Sequence, residues 1–247
     1  MSRIALVTGA SQGIGRATAE ALVADGWTVA LVARSADKLD AVADALGEER
    51  ASVHPCDVTD ADAVDALFAD VSLTHGRLDF CFNNAGTNVP ATEFGEIEFY
   101  DWRKVVGVNL DGAFLVASGA YRLMRDQDPQ GGRIVNNGSI SASVPRPGSA
   151  PYTASKHAIT GLTRSIALDG RRFSIACGQI DIGNAASDMT QKMSSGVPQA
   201  DGSTKAEPTM DVRHVAQAVA GMAALPLDAN VLFQTIMATN MPFVGRG

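Results

Sequence analysis

The sequence predicts an α/β protein built on one doubly wound parallel sheet, and three observations lead there. Apolar runs of strand length alternate along the chain with longer stretches of helical period. A glycine-rich turn joins the first apolar run to the first helical stretch. No linker and no internal repeat divides the 247 residues, a length one large domain can use to build its core. About seven strands with helices on both faces are therefore expected, with residues 1–247 as a single domain. Right-handed crossovers would join successive parallel strands.

The strands are read in order as "RIALVTG", "WTVALVAR", "ASVHPCD", "RLDFCFNN", "GRIVNNGS", "FSIACGQI" and "VLFQTIMA". Most of these runs are apolar throughout, as strands covered on both faces require. Between them, "GIGRATAEALVADG", "SADKLDAVADALG", "DADAVDALFADVSLTHG", "YTASKHAITGLTRSIALDG" and "DVRHVAQAVAGMAAL" carry helical patterns, and residues 99–127 are read as one long helix. In the second helix Leu39, Val42, Ala43 and Leu46 form one buried stripe. Ser35 or Asp37, and Thr59–Asp60, supply starting caps. Residues 186–210, rich in Ser, Thr, Gly and Pro, form the one long irregular segment. It follows the sixth strand, so a lid over the substrate is expected there.

Composition narrows the function. Hydrophobic residues make up 46% and charged residues 19%, which argues against disorder. The net charge of −7, with no long Lys/Arg run, speaks against a nucleic-acid partner. Apolar segments are too short and interrupted to predict a membrane span. The strand-like start leaves no room for a signal or transit peptide, so a cytoplasmic location is expected. Cys56, Cys81 and Cys177 lack metal-ligand spacing and are read as reduced core thiols; no metal is expected.

Gly9, Gly13 and Gly15 lie between the first strand and first helix, with Ser11, Gln12 and Ile14 completing the turn. Glycines there let a phosphate approach the backbone, and the helix N-terminus offers it N–H groups. Downstream, Tyr152 and Lys156 are four residues apart in a helical stretch, hence on one face. An ammonium within about 4–6 Å of a phenol lowers its pKa and suits it to proton transfer.

The spacing T-G-x-x-x-G-x-G, with "CDVTD", "NNAG", "VNLDG", "IVNNGS" and "YTASK" following in order, resembles the short-chain dehydrogenase/reductase family. The resemblance covers essentially the whole chain and implies a Rossmann-like fold that binds a nicotinamide dinucleotide. It implies that Asp57 and Val58 flank the adenine and that Asn84, Ala85 and Gly86 line the floor below the adenosine. Asp57 has a turn or cap role as its alternative. It also implies a catalytic set of Asn109, Ser139, Tyr152 and Lys156. Tyr152 would exchange the proton and Ser139 would hold the carbonyl oxygen. Lys156 would tune Tyr152 and bind the nicotinamide ribose, while Asn109 tethers a water.

Where the second strand ends, an acid would favour NAD; the chain has Ala33 and Arg34, with Lys38 one turn on. Arg34 can fork onto a 2′-phosphate, so NADP(H) is expected over NAD(H), with a solvated loop arginine as the alternative. The family's Pro-Gly after the sixth strand reads Ile182–Gly183 here, followed by Ala185 and Ser187, and Ser187 stands where the family carries threonine. Gly183, Ala185 and Ser187 remain expected cofactor contacts. "NNGS" departs from the usual apolar–Ser–Ser, and "ATNMPFVGRG" lacks the usual acidic-Gly-Gly ending.

Candidate substrate contacts are Ser141, Val144, Arg146, Met189 and Met193. A solvated role is the commoner one for such an arginine, and core packing explains the methionines equally well. The expected activity is an NADPH-dependent carbonyl reductase or alcohol dehydrogenase acting on a small molecule. A catalytically silent NADP(H) sensor, enoyl reduction and epimerisation are the alternatives. The resemblance implies a homo-oligomer, tetramer or dimer, built through the helices at 98–127 and 150–170.

Overall fold

In the computed structural model the described residues are 3–186 and 196–244. The first half runs β1 (Ile4–Thr8), α1 (Gly13–Ala24), β2 (Thr28–Ala33), α2 (Ala36–Leu46), β3 (Ala51–Pro55), α3 (Ala61–His75) and β4 (Phe80–Asn83). There follow α4 (Phe99–Val106), α5 (Ala113–Asp126), β5 (Gly132–Asn137), α6 (Ala150–Asp169) and β6 (Ile175–Ile182). The short strands β7 (Ala185–Ala186), β8 (Val197–Pro198), β9 (Thr204–Lys205) and β10 (Met210–Asp211) precede α7 (Val212–Ala224) and β11 (Phe233–Ile236).

Seven strands form one parallel sheet in the order β11-β6-β5-β4-β1-β2-β3. The chain leaves β1 in one direction through β2 and β3, then returns to the other side of β1 at β4. Such a reversal opens a crevice at the strands' C-terminal ends. The pleat sends alternate residues to opposite faces. Ala5 and Val7 join Leu22, Leu39 and Val219 under α1, α2 and α7. Leu6 joins Phe68, Val116 and Met124 under α3 and α5. The fold is thus the doubly wound, Rossmann-like arrangement that the strand–helix alternation predicts.

Local chemistry explains the boundaries, with some corrections. Asp60 caps α3, accepting from the N–H groups of Asp62 and Ala63. Ser35 precedes α2 in extended backbone but makes no side-chain cap. The helix expected over 99–127 is interrupted by a π-helical turn, Gly107–Gly112. A π-turn inserts an extra residue without erasing the apolar stripe, so periodicity does not reveal it. The expected irregular segment also carries short pairings: β7 runs parallel to β10, and β8 antiparallel to β9.

All three cysteines are buried and unpaired. Burial pushes the Cys81 thiol up to about 12 and raises Cys177 as well, so neither forms a thiolate at neutral pH. Among the described residues no helix is long and apolar enough to cross a membrane.

Candidate active site

A cleft of about 470 Å³ opens where β1 and β4 diverge. Its phosphate end is built by the glycine turn. Gly9 and Gly13 have φ of +67° and +56°, which side-chain-bearing residues rarely adopt. A Cβ on Gly15 would collide with the carbonyl of Gly9, so only glycine lets α1 start this close to β1. Gln12, at the N-cap of α1, offers no side-chain cap. The first N–H groups of the helix therefore face a cradle suited to a pyrophosphate. This fits the dinucleotide implied by the turn.

Ser11, Gln12, Ile14, Val58, Asn84, Ala85, Gly86, Gly183 and Ala185 also line the cleft. Asn84 joins three strands: its Nδ2 donates to the Thr8 carbonyl at 2.8 Å, and its Oδ1 accepts from Asn137 at 2.8 Å. Thr8 Oγ1 in turn accepts from the backbone N–H groups of Asn84 and Ala85. Arg34 and Lys38 line the far corner, with Lys38 Nζ 3.4 Å from Gln12 Oε1. Asp57 lines the cleft and also closes a turn, accepting from the N–H and hydroxyl of Thr59. The Thr59 N–H is the main cause holding the Asp57 carboxyl below its usual range, and Arg34 adds to it.

At the other end, Tyr152 and Lys156 line the cleft from α6. Lys156 Nζ lies 5.5 Å from the centre of the Tyr152 ring and donates to the Asn137 carbonyl at 2.6 Å. Burial pulls the Lys156 amine down to about 8, while the charge of Asp181 opposes the fall. The lowered phenol pKa expected for Tyr152 is not found. Burial raises it, against a hydrogen bond with Ser139 and the charge of Arg146. The phenol is therefore protonated at neutral pH, the form that donates to a carbonyl oxygen.

Ser139 follows β5 and is buried; its Oγ also accepts from the Ser141 N–H at 3.1 Å. Asn109 lies in the π-turn. Its side chain accepts from the Thr87 N–H at 2.8 Å and donates to the Thr87 carbonyl and to Ser155 Oγ. That bridge ties the π-turn to the loop after β4 and to α6.

Among the substrate candidates, Ser141 is buried beneath Ser139 and Val144 is exposed. Arg146 corrects the expectation of a solvated loop residue. It is largely buried and pairs with the buried Glu207 at 2.9 Å, while donating to Asn184 Oδ1 at 2.8 Å. Ser187, Met189 and Met193 lie outside the described residues. The unusual C-terminal stretch packs Ala238 and Met241 against Ile140, beside Ser139.

Three groups at the site escaped the sequence reading. Lys104 and Asn137 line the cleft, and Asp181 accepts from the Ser139 N–H at 2.9 Å. The available signals were an acid inside the apolar run of β6 and an asparagine in place of an apolar residue before Ser139.

A crevice at a topological switch, a glycine cradle and a Ser–Tyr–Lys cluster at its far end define a nucleotide-dependent oxidoreductase. The chain belongs to the short-chain dehydrogenase family, whose model matches residues 3–198. It is 37% identical over 197 residues to a 3β-hydroxysteroid dehydrogenase of Mediterraneibacter gnavus, covering 79% of this chain and 70% of that one. It is 35% identical over 198 residues to a 3-oxoacyl-[acyl-carrier-protein] reductase of Synechocystis sp., covering 78% of each. The alcohol dehydrogenase of the archaeon Thermococcus sibiricus, solved with 5-hydroxy-NADP, superposes with a TM-score of 0.84 at 24% identity over 98% of both chains. The protein is an NAD(P)-dependent oxidoreductase acting on hydroxyl or carbonyl groups.

Proposed function

We propose that the protein is an NADPH-dependent carbonyl reductase, running in reverse as an alcohol dehydrogenase, with Ser139, Tyr152, Lys156 and Asn109 as its working set. One observation carries this reading: Tyr152 and Lys156 line the same end of the cleft from one face of α6, with the Lys156 amine 5.5 Å from the phenol ring and Ser139 buried just past β5. Gly9, Gly13, Gly15 and the first turn of α1 would hold the pyrophosphate. Arg34 and Lys38 would hold a 2′-phosphate. Asp57 and Val58 would flank the adenine, with Asn84, Ala85 and Gly86 as the floor. The nicotinamide, when bound, supplies or accepts the hydride.

The chain's residues handle the oxygen and the proton. Ser139 holds the substrate oxygen by a hydrogen bond, and Tyr152 delivers its phenolic proton to that oxygen. In the reverse direction the same phenol oxygen accepts the alcohol proton. Lys156 stabilises the phenolate left behind, and Asn109 keeps the π-turn in register with α6. Residues 196–210, tied to the post-β5 loop through Glu207 and Arg146, would border the substrate side. Small carbonyl compounds are the proposed substrates, in a cytoplasmic homo-oligomer. Buried thiols fit that compartment, and the exposed Phe114 and Leu168 on α5 and α6 fit an interface between copies.

The test is Tyr152→Phe, with NADPH oxidation followed over a panel of ketones, aldehydes and β-ketoacyl thioesters. Loss of a proton donor lowers kcat by about 10²–10⁴-fold while the Kd for NADPH stays unchanged. Full activity in that variant, or tight NADPH binding by the wild type with no turnover across the panel, refutes the proposal.

A further inference from the structure

We infer, resting on the Ser139–Tyr152–Lys156 chemistry proposed above, that Asp181 is a positioning residue of this site, anchoring Ser139 from the neighbouring strand and holding charge on Lys156. Asp181 lies on β6, beside β5, and its Oδ1 accepts from the Ser139 backbone N–H at 2.9 Å and from Gln179 Nε2 at 2.7 Å. Gln179 continues the network into α6, donating to Thr160 Oγ1 at 3.1 Å and accepting from Thr163 Oγ1 at 3.2 Å. Tyr152, Lys156 and Thr160 recur at four-residue steps, so one face of α6 carries the phenol, the amine and the tie to this carboxylate.

The backbone beside it is shaped to admit the acid. A Cβ on residue 138 would collide with Asp181 Oδ1 and crowd the Gln179 side chain. Glycine in "NNGS" and aspartate in "GQIDIG" are therefore two halves of one arrangement. A partly buried carboxylate is unfavourable unless hydrogen bonds and an opposite charge compensate it. Burial raises the Asp181 carboxyl, and the bonds from Gln179 and Ser139 together with the Lys156 charge pull it back. In turn Asp181 favours the charged amine of Lys156 and disfavours the Tyr152 phenolate, which Arg146 favours from the post-β5 loop.

The test titrates Lys156 by ¹³C NMR in nucleotide-free protein carrying [ε-¹³C]lysine, its signal assigned with Lys156→Arg. Asp181→Asn keeps an acceptor oxygen for Ser139 but removes the charge, so the Lys156 midpoint falls by about one pH unit or more. Asp181→Ala removes the anchor as well and lowers kcat at pH 7 by about tenfold, with Asp181→Asn recovering part of that loss and the Kd for NADPH unchanged in both. A Lys156 midpoint that stays put in Asp181→Asn overturns the inference, as does equal kcat in the two variants and the wild type. If the midpoint falls but the wild type turns over no carbonyl compound, the coupling of Asp181 to Lys156 stands and the catalytic proposal alone is lost.

Discussion

Removing Arg34, just past β2, and Lys38, in the first turn of α2, tests the nucleotide preference most directly. Arg34 is exposed where the adenosine ribose would lie, and Lys38 reaches back to within 3.4 Å of Gln12 Oε1 over the glycine turn. A phosphate monoester carries about −1.5 to −2 charges at neutral pH, and a charge-assisted hydrogen bond contributes about 1.5–3 kcal/mol. Exposure and salt screening put each cation at the lower end, about 1.5 kcal/mol, or roughly tenfold in Kd. Arg34→Ala should therefore raise the Kd for NADPH about tenfold, and Arg34→Ala with Lys38→Ala by about 50–100-fold, with NADH within about twofold of wild type. The assay is a titration following the fluorescence of the reduced nicotinamide, run at about 50 and 500 mM salt, where the preference should shrink as screening rises. Equal wild-type affinities for NADH and NADPH, or equal losses for both in the variants, would refute the reasoning.

Other outcomes follow from buried groups at the same site. Lys156 is held near pKa 8 against an ordinary 10.5, so the folded state carries a buried charge at pH 7 at a cost of about 3 kcal/mol. The unfolded chain binds more protons between about pH 8 and 10.5, so wild-type stability gains across that window. Lys156→Met, after losing the bond to the Asn137 carbonyl, should thus be about 2 kcal/mol more stable at pH 7, though inactive, with the advantage fading toward pH 10.5; thermal melts across pH check it. Gly138→Ala drives a methyl group into Asp181 and should cost about 1–3 kcal/mol, at least half of it recovered when Asp181→Ala is added, as read by urea denaturation.

Strand and helix patterns were legible wherever local chemistry decides structure. The seven sheet strands, the glycine turn and the Asp60 cap depend on residues within a few positions of one another. Features set by distant partners were not. Arg146 looks like a loop arginine until Glu207 folds against it, and Asp181 looks like a stray acid until Gly138 makes room for it. The π-turn around Asn109 hid because one inserted residue leaves the apolar faces of α4 and α5 readable as one helix. The Tyr152 phenol was misjudged by counting a nearby cation and omitting desolvation, the largest of the causes that raise it.

Asn184 and Glu207 meet at 2.8 Å, and the Met210 N–H donates to the Asn184 carbonyl, so the chain departs from β6 and rejoins the domain through one narrow neck. With its two ends fastened together, the intervening stretch can change length cheaply, since doubling a closed loop costs only about 0.6 kcal/mol. Insertions or deletions between these anchor points should therefore leave the melting temperature of the domain nearly unchanged. Grafting a relative's sequence between the same anchor points should leave the glycine cradle and the strands beneath it intact.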